Sequence, residues 1–162
     1  MTNQANNSFL DVIEYICIKL INTRILWALT GSLNHAMQGV NIKPNDIDII
    51  SDKSGIYAIE KIFRQYIAKP VCYSEQSSLR SHYGMLRISN ISVDLMSDVE
   101  NLLKSGIWDS HVGWQDNIQQ IKFRNSIVPV LSLGYELATY RKLGLWKRAD
   151  LISNKLAENQ VE

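Results

Sequence analysis

Apolar residues recur at helical spacing near the start of the chain, with Phe9, Ile13, Ile16, Cys17 and Leu20 on one face. Ser8 stands before them and Asp11 follows three residues later, a pairing suited to capping a helix that ends near Asn22. Ile25 to Leu29 is then a continuous apolar run of strand length, broken by Thr30-Gly31-Ser32. Leu33 to Gln38 reads as a short helix stopped by Gly39, and Val40 to Asn45, with Pro44, as a loop. Asp46-Ile47-Asp48-Ile49-Ile50 alternates acidic and apolar positions, the pattern of a strand with one polar face. Ser51 or Asp52 can cap the next helix, Gly55 to about Ala68, whose apolar set is Ile56, Ile59, Ile62, Phe63 and Tyr66.

Val71 to Tyr73 reads as a short strand. Two strand pairs follow, His82 to Ile88 with Ile91 to Met96 about Ser89-Asn90, and Ile118 to Phe123 with Ile127 to Val130 about Arg124-Asn125. Ser132 caps a helix to about Leu143 with Gly144 as terminator, and a last amphipathic helix runs from Trp146 to Glu158. This order predicts an α/β (α+β) fold, a mixed and largely single sheet flanked by helices, without the regular alternation of a doubly wound parallel sheet. With no linker, repeat or low-complexity segment, residues 1–162 are expected to form one domain.

Composition narrows the class. The 46% hydrophobic content is that of an ordinary globular protein. Seventeen basic against 16 acidic side chains leave a net charge of +1, which disfavours nucleic acid as the principal partner and permits self-association. Cys17 and Cys72 lie in apolar stretches outside any metal-binding spacing and are expected to be buried. Met1 to Ser8 is polar and uncharged, unlike a secretory signal, and no apolar run spans a bilayer, so no membrane partner and a cytoplasmic location are expected.

Three features carry candidate chemistry. Gly31-Ser32 lies between a strand and a helix, where free backbone N–H groups, a glycine and a hydroxyl can receive a phosphate. Asp46 and Asp48 alternate on a strand and so share a face, a like-charge pair that a divalent cation would neutralise. Asp94 stands inside the apolar run Ile91 to Met96, where a carboxylate is costly unless paired or metal-bound. If that strand lies beside the Asp46–Asp48 strand, three carboxylates converge as two-metal phosphoryl transfer requires. Asp98, just beyond, reads as a helix cap. The Trp108–Trp114 segment reads as an aromatic loop, able either to stack on a flat ligand or to close the core. No Walker-type or dinucleotide-binding glycine motif is present, and a receiver-type acidic pocket would need an acidic pair where this chain has Gly31-Ser32.

Leu29-Thr30-Gly31-Ser32, then Asp46-Ile47-Asp48-Ile49, then Val93-Asp94-Leu95, resembles the DNA-polymerase-β-like nucleotidyltransferase superfamily. Ala36 to Ser51, Arg80 to Gly84 and Val128 to Gly144 look like its small bacterial-type members, relatives of the lincosamide and aminoglycoside nucleotidyltransferases. Those small relatives often carry glutamate where Asp94 stands, so the reach of this carboxylate is shorter. The resemblance implies a metal-dependent enzyme that moves a nucleoside monophosphate from a nucleoside triphosphate to a hydroxyl of an unidentified acceptor, with a small molecule favoured. It implies Asp46, Asp48 and Asp94 as ligands of two Mg²⁺ or Mn²⁺ ions and as the catalytic residues, Asp94 also taking the attacking hydroxyl's proton. It further implies a triphosphate seated on Gly31 and Ser32, with Lys142, Arg80 and His82 as candidate nucleotide contacts. So short a chain leaves little for a separate acceptor domain, which makes a homodimer with a shared acceptor pocket a reasonable expectation. The competing expectation is a catalytically weak partner-binding module, such as a toxin–antitoxin component; three filled acidic positions favour activity.

Overall fold

The computed structural model describes the backbone of residues 2–161 and side chains from Ser8 onward. Its elements are helix α1 (Thr2–Leu20), strand β1 (Trp27–Thr30), helix α2 (Gly31–Met37), strand β2 (Ile47–Ser51), helix α3 (Lys53–Ile62), and strands β3 (Ile67–Glu75), β4 (Leu79–Ile88), β5 (Ile91–Leu102) and β6 (Trp108–Ser110). Strands β7 (Ile118–Phe123) and β8 (Ser126–Leu131) and helices α4 (Leu133–Lys142) and α5 (Trp146–Asn159) complete the chain. The strands form one eight-stranded mixed sheet in the order β3-β4-β5-β2-β1-β8-β7, with β6 pairing the far end of β5. The expected α+β architecture is therefore the one observed.

Alternation along the strands sorts residues between two faces. Ile47, Ile49, Val93, Leu95, Val128 and Val130 point to one side and bury against Ile13 and Ile16 of α1 and Ile56 and Ile59 of α3. On the other side lie Asp48, Asp94 and Thr30, with a smaller apolar cluster of Ala28, Ile50, Trp114 and Leu131 beside them. Helices α4 and α5 meet over Val40, Leu133 and Ile152 and rise next to this second face.

Several local expectations are revised. Ser8 lies within α1, which begins earlier than the apolar periodicity does. Helix α3 is capped by Asp52, whose side chain accepts from Gly55 N–H, but it ends at Ile62 rather than near Ala68. Beyond a short 3₁₀ turn the chain becomes β3, nine residues long rather than three. β3 is an edge strand, which is where Pro70 is tolerated. Cys72 on this strand is exposed, whereas Cys17 is buried as expected. Asp98 caps no helix. It sits at a bulge in β5 with φ of +50°, where the pairing steps from Ser97–His82 to Glu100–Arg80. The aromatic loop contains β6, and Trp114, 6% exposed, closes the small cluster on the second face. Ser89 and Asn90 turn the β4–β5 hairpin with φ of 49° and 65°, and Gly39 and Gly144 end their helices with φ of 85° and 70°.

Candidate active site

β2 and β5 run parallel with Asp48 directly opposite Asp94. Asp46, one residue ahead of β2, points the same way as Asp48. Together the three offer carboxylate oxygens that all lie within 4.8 Å of one another. Burial pushes the Asp48 carboxyl up to about 8, with Asp46, Asp94 and Glu136 adding repulsion and Arg148 opposing it. Asp94 is also raised, chiefly by burial, against the hydrogen bond from Tyr83 and the charge of Lys69. Such a group of half-buried oxygen donors carries more negative charge than its surroundings offset, which suits a hard divalent cation.

The turn after β1 closes tightly on this cluster. Gly31 has φ of +71°, and a Cβ there would stand 2.1 Å from Asp48 Oδ2, so only glycine lets the backbone pass. Its N–H donates to Glu136 Oε1 at 3.2 Å. The Thr30 hydroxyl donates to the same oxygen, and His35 Nε2 meets the other oxygen of Glu136. Glu136 is 4% exposed. Burial raises it to about 7 and lowers His35 to about 4, so the neutral imidazole is favoured and the carboxyl keeps a proton close to neutrality. Ser32, also buried, accepts from Asn45 N–H at 3.2 Å and anchors the loop that delivers Asp46. The Gly31-Ser32 turn thus borders the carboxylates, while its Gly31 amide is engaged by Glu136 rather than presented to a ligand.

A cavity of about 360 Å³ opens over Gly31 and Asp48, walled by Met96, Leu131, Tyr140 and Arg148 among others. Arg148, on the first turn of α5, acts electrostatically on Asp48, Glu136 and His35, and its Nη1 reaches the Tyr140 hydroxyl at 3.4 Å. Lys142 lies elsewhere, exposed and 3.4 Å from Asp109 Oδ1. Arg80 is committed too, with Nε 2.6 Å from Glu100 Oε2 and its guanidinium 4.2 Å from the centre of the Trp108 ring. His82 lines a second cavity of about 400 Å³ with Tyr73, Asp98 and Trp114, and its Nδ1 lies 3.2 Å from the Tyr57 hydroxyl. The two cavities share Ile50, Val99 and His111 as wall. Sequence reasoning missed Glu136 and Arg148. Glu136 is an acidic residue in a helix first turn and Arg148 follows another basic residue, Lys147, so neither position carries a distinguishing signal along the chain.

Sheet order, glycine-closed turn and converging carboxylates put the chain in the class of polymerase-β-like nucleotidyltransferases. Its family follows from residues 12–155, which match the model of the aminoglycoside-2''-adenylyltransferases; the chain belongs to that family. Among solved structures it is similar to a candidate nucleotidyltransferase from Thermotoga maritima, with 36% identity over 94% of each chain and a TM-score of 0.79. The fold is shared with ANT(2'')-Ia in complex with adenylyl-2''-tobramycin, at 11% identity, a TM-score of 0.60, and 95% of this chain and 92% of that one covered. It is shared also with the lincomycin-bound lincosamide adenylyltransferase LnuA, at 15% identity, a TM-score of 0.52, and 94% and 97% covered. No curated protein matches the chain. Among the described residues no helix is long and apolar enough to cross a membrane.

Proposed function

We propose that this nucleotidyltransferase moves a nucleoside monophosphate from a nucleoside triphosphate to a hydroxyl of a small-molecule acceptor. The observation that carries the reading is the set of three carboxylates with ligand oxygens within 4.8 Å of one another. Asp46, Asp48 and Asp94 would hold Mg²⁺ or Mn²⁺, two ions in all. Bound there, the metal supplies charge neutralisation for the triphosphate and for the transition state. Gly31 and Arg148 both line the cavity over Asp48, where the turn would border the triphosphate and Arg148 would pair with its phosphate oxygens. The acceptor oxygen forms a bond to the α-phosphorus, the bond to the pyrophosphate oxygen breaks, and the hydroxyl proton passes to Asp94.

Two considerations support a small acceptor. ANT(2'')-Ia and LnuA, which share the fold, are seen with adenylyl-2''-tobramycin and lincomycin. The cavity lined by Tyr73, His82, Asp98 and Trp114 adjoins the one over Asp48 and offers aromatic and polar groups to such a molecule. The family's adenylyl transfer makes ATP the first donor to try.

Calorimetric titration of ATP, CTP, GTP and UTP with Mg²⁺ or Mn²⁺ tests the reading. Wild type is expected to bind one triphosphate in a metal-dependent manner, and Asp46→Asn/Asp48→Asn to lose it. Arg148→Ala should weaken binding roughly 10- to 100-fold, the worth of a hydrogen bond to a charged group, and Lys142→Ala by less than about twofold. A folded wild type that binds none of the four sinks the proposal.

A further inference from the structure

β4 flanks β5 on the side away from β2, and its register sets Tyr83 opposite Met96 and Met85 opposite Asp94. Tyr83 and Asp94 are therefore diagonal neighbours on one face, within reach of a long aromatic side chain. The Tyr83 hydroxyl donates to Asp94 Oδ1 at 3.0 Å. The phenol is itself held from the next strand. Lys69 of β3 pairs with Met85 and sets its ammonium 4.8 Å from the centre of the Tyr83 ring. Close approach of β3 depends on Gly84, where a Cβ would lie 2.5 Å from Val71 Cγ2 and 2.8 Å from Val71 N.

We propose that Tyr83 is a positioning residue for the metal site: it commits one oxygen of Asp94 to the phenol and leaves the other to meet a cation shared with Asp46 and Asp48. The inference rests on the reading that these aspartates bind a divalent ion. Without the phenol, Asp94 can rotate about its side-chain bonds and present either oxygen, both or neither. With it, the carboxylate plane is set before the cation arrives. An outer hydrogen bond that orients a ligand is typically worth a 10- to 100-fold change in metal affinity or activity. Lys69 acts one step further out, favouring the anionic Asp94 and pinning the ring that orients it.

The test is titration with Mn²⁺ alone, following free Mn²⁺ by electron paramagnetic resonance, on the full chain as wild type, Tyr83→Phe and Asp94→Asn. Phenylalanine keeps the ring and its contact with Lys69 and removes only the hydroxyl. Tyr83→Phe is expected to bind Mn²⁺ about tenfold more weakly than wild type. Its metal-free thermal midpoint should stay within about 4 °C, the shift that loss of one modest interaction produces at this size. Wild-type Mn²⁺ affinity in Tyr83→Phe, with Asp94→Asn defective, overturns the role of Tyr83 and leaves the triad reading standing. A Tyr83→Phe protein that loses Mn²⁺ only together with its fold makes the residue part of the scaffold and also overturns it. A folded wild type that binds no Mn²⁺ brings down both readings.

Discussion

At Gly31 the backbone turns through a φ of +71° with Asp48 Oδ2 only 2.1 Å from where a Cβ would be. The sequence signals a phosphate-adjacent glycine here, and the structure adds a reason internal to the protein: the site needs a residue without a side chain so that turn and carboxylate can touch. Gly31→Ala should cost about 1–3 kcal/mol in urea unfolding, from the strained φ alone, and should weaken triphosphate binding by displacing Asp48. Equal stability and affinity in the variant would mean that the turn has room to spare. Asp46 and Asp48 were legible as a pair because alternate strand residues share a face, and Asp94 because it interrupts an apolar run; that β5 lies beside β2 and brings the three together came from the fold. Arg148 was not, because its relation to Asp48 depends on how α5 packs beside the sheet, and no spacing along the chain encodes that angle.

Elements supply the walls, and α4 supplies the most consequential one. Ser132 caps it by accepting from Tyr135 N–H, and one turn in, Glu136 reaches back to Thr30, Gly31 and His35. One buried carboxylate thereby ties the last third of the chain to the first. Glu136→Ala leaves a hydroxyl, an amide and an imidazole without this partner, and is expected to destabilise the fold by about 2–4 kcal/mol. A loss under about 0.5 kcal/mol in chemical denaturation would show that water replaces the carboxyl. Periodicity found the buried elements well, since Ile47, Ile49, Val93 and Leu95 have nowhere to go but the core. It found only Val71 to Tyr73 of β3 and missed β6. β3 is an edge strand exposed along most of its length, and β6 is three residues long, so neither leaves an alternating pattern to read. Asp98 misled for a related reason: a bulge residue and a helix cap both favour a small polar side chain, and only the partner strand distinguishes them.

For the molecule as a whole, the buried acids set a pH dependence. The folded state raises Asp48 to about 8 and Glu136 to about 7, so each favours its protonated form in the folded chain. Their contributions are present in full below the ordinary carboxylate range and are lost as pH rises through those values. His35, lowered to about 4 from 6.5, works the other way, but only below 6.5. Between pH 6.5 and 8, therefore, the metal-free protein should lose thermal stability as pH rises. Mg²⁺ should reverse the part due to Asp48, and Asp48→Asn should flatten the slope. Melting curves across that range in chelator and in Mg²⁺ check this; a flat metal-free profile would place Asp48 in a more polar setting than its burial indicates.

The pairing of Leu29 in β1 with Val130 in β8 joins positions about a hundred residues apart. On a ribosome, β2 and β5 can meet once residue 102 has emerged, so Asp46, Asp48 and Asp94 assemble early. β1 meanwhile keeps an open edge until β8 is synthesised, and the Gly31 turn stays untied until Glu136 follows. The nascent chain can thus bring its acidic strands together before the wall that shapes the site exists, and until β8 covers it the open edge of β1 is a template on which another chain could pair.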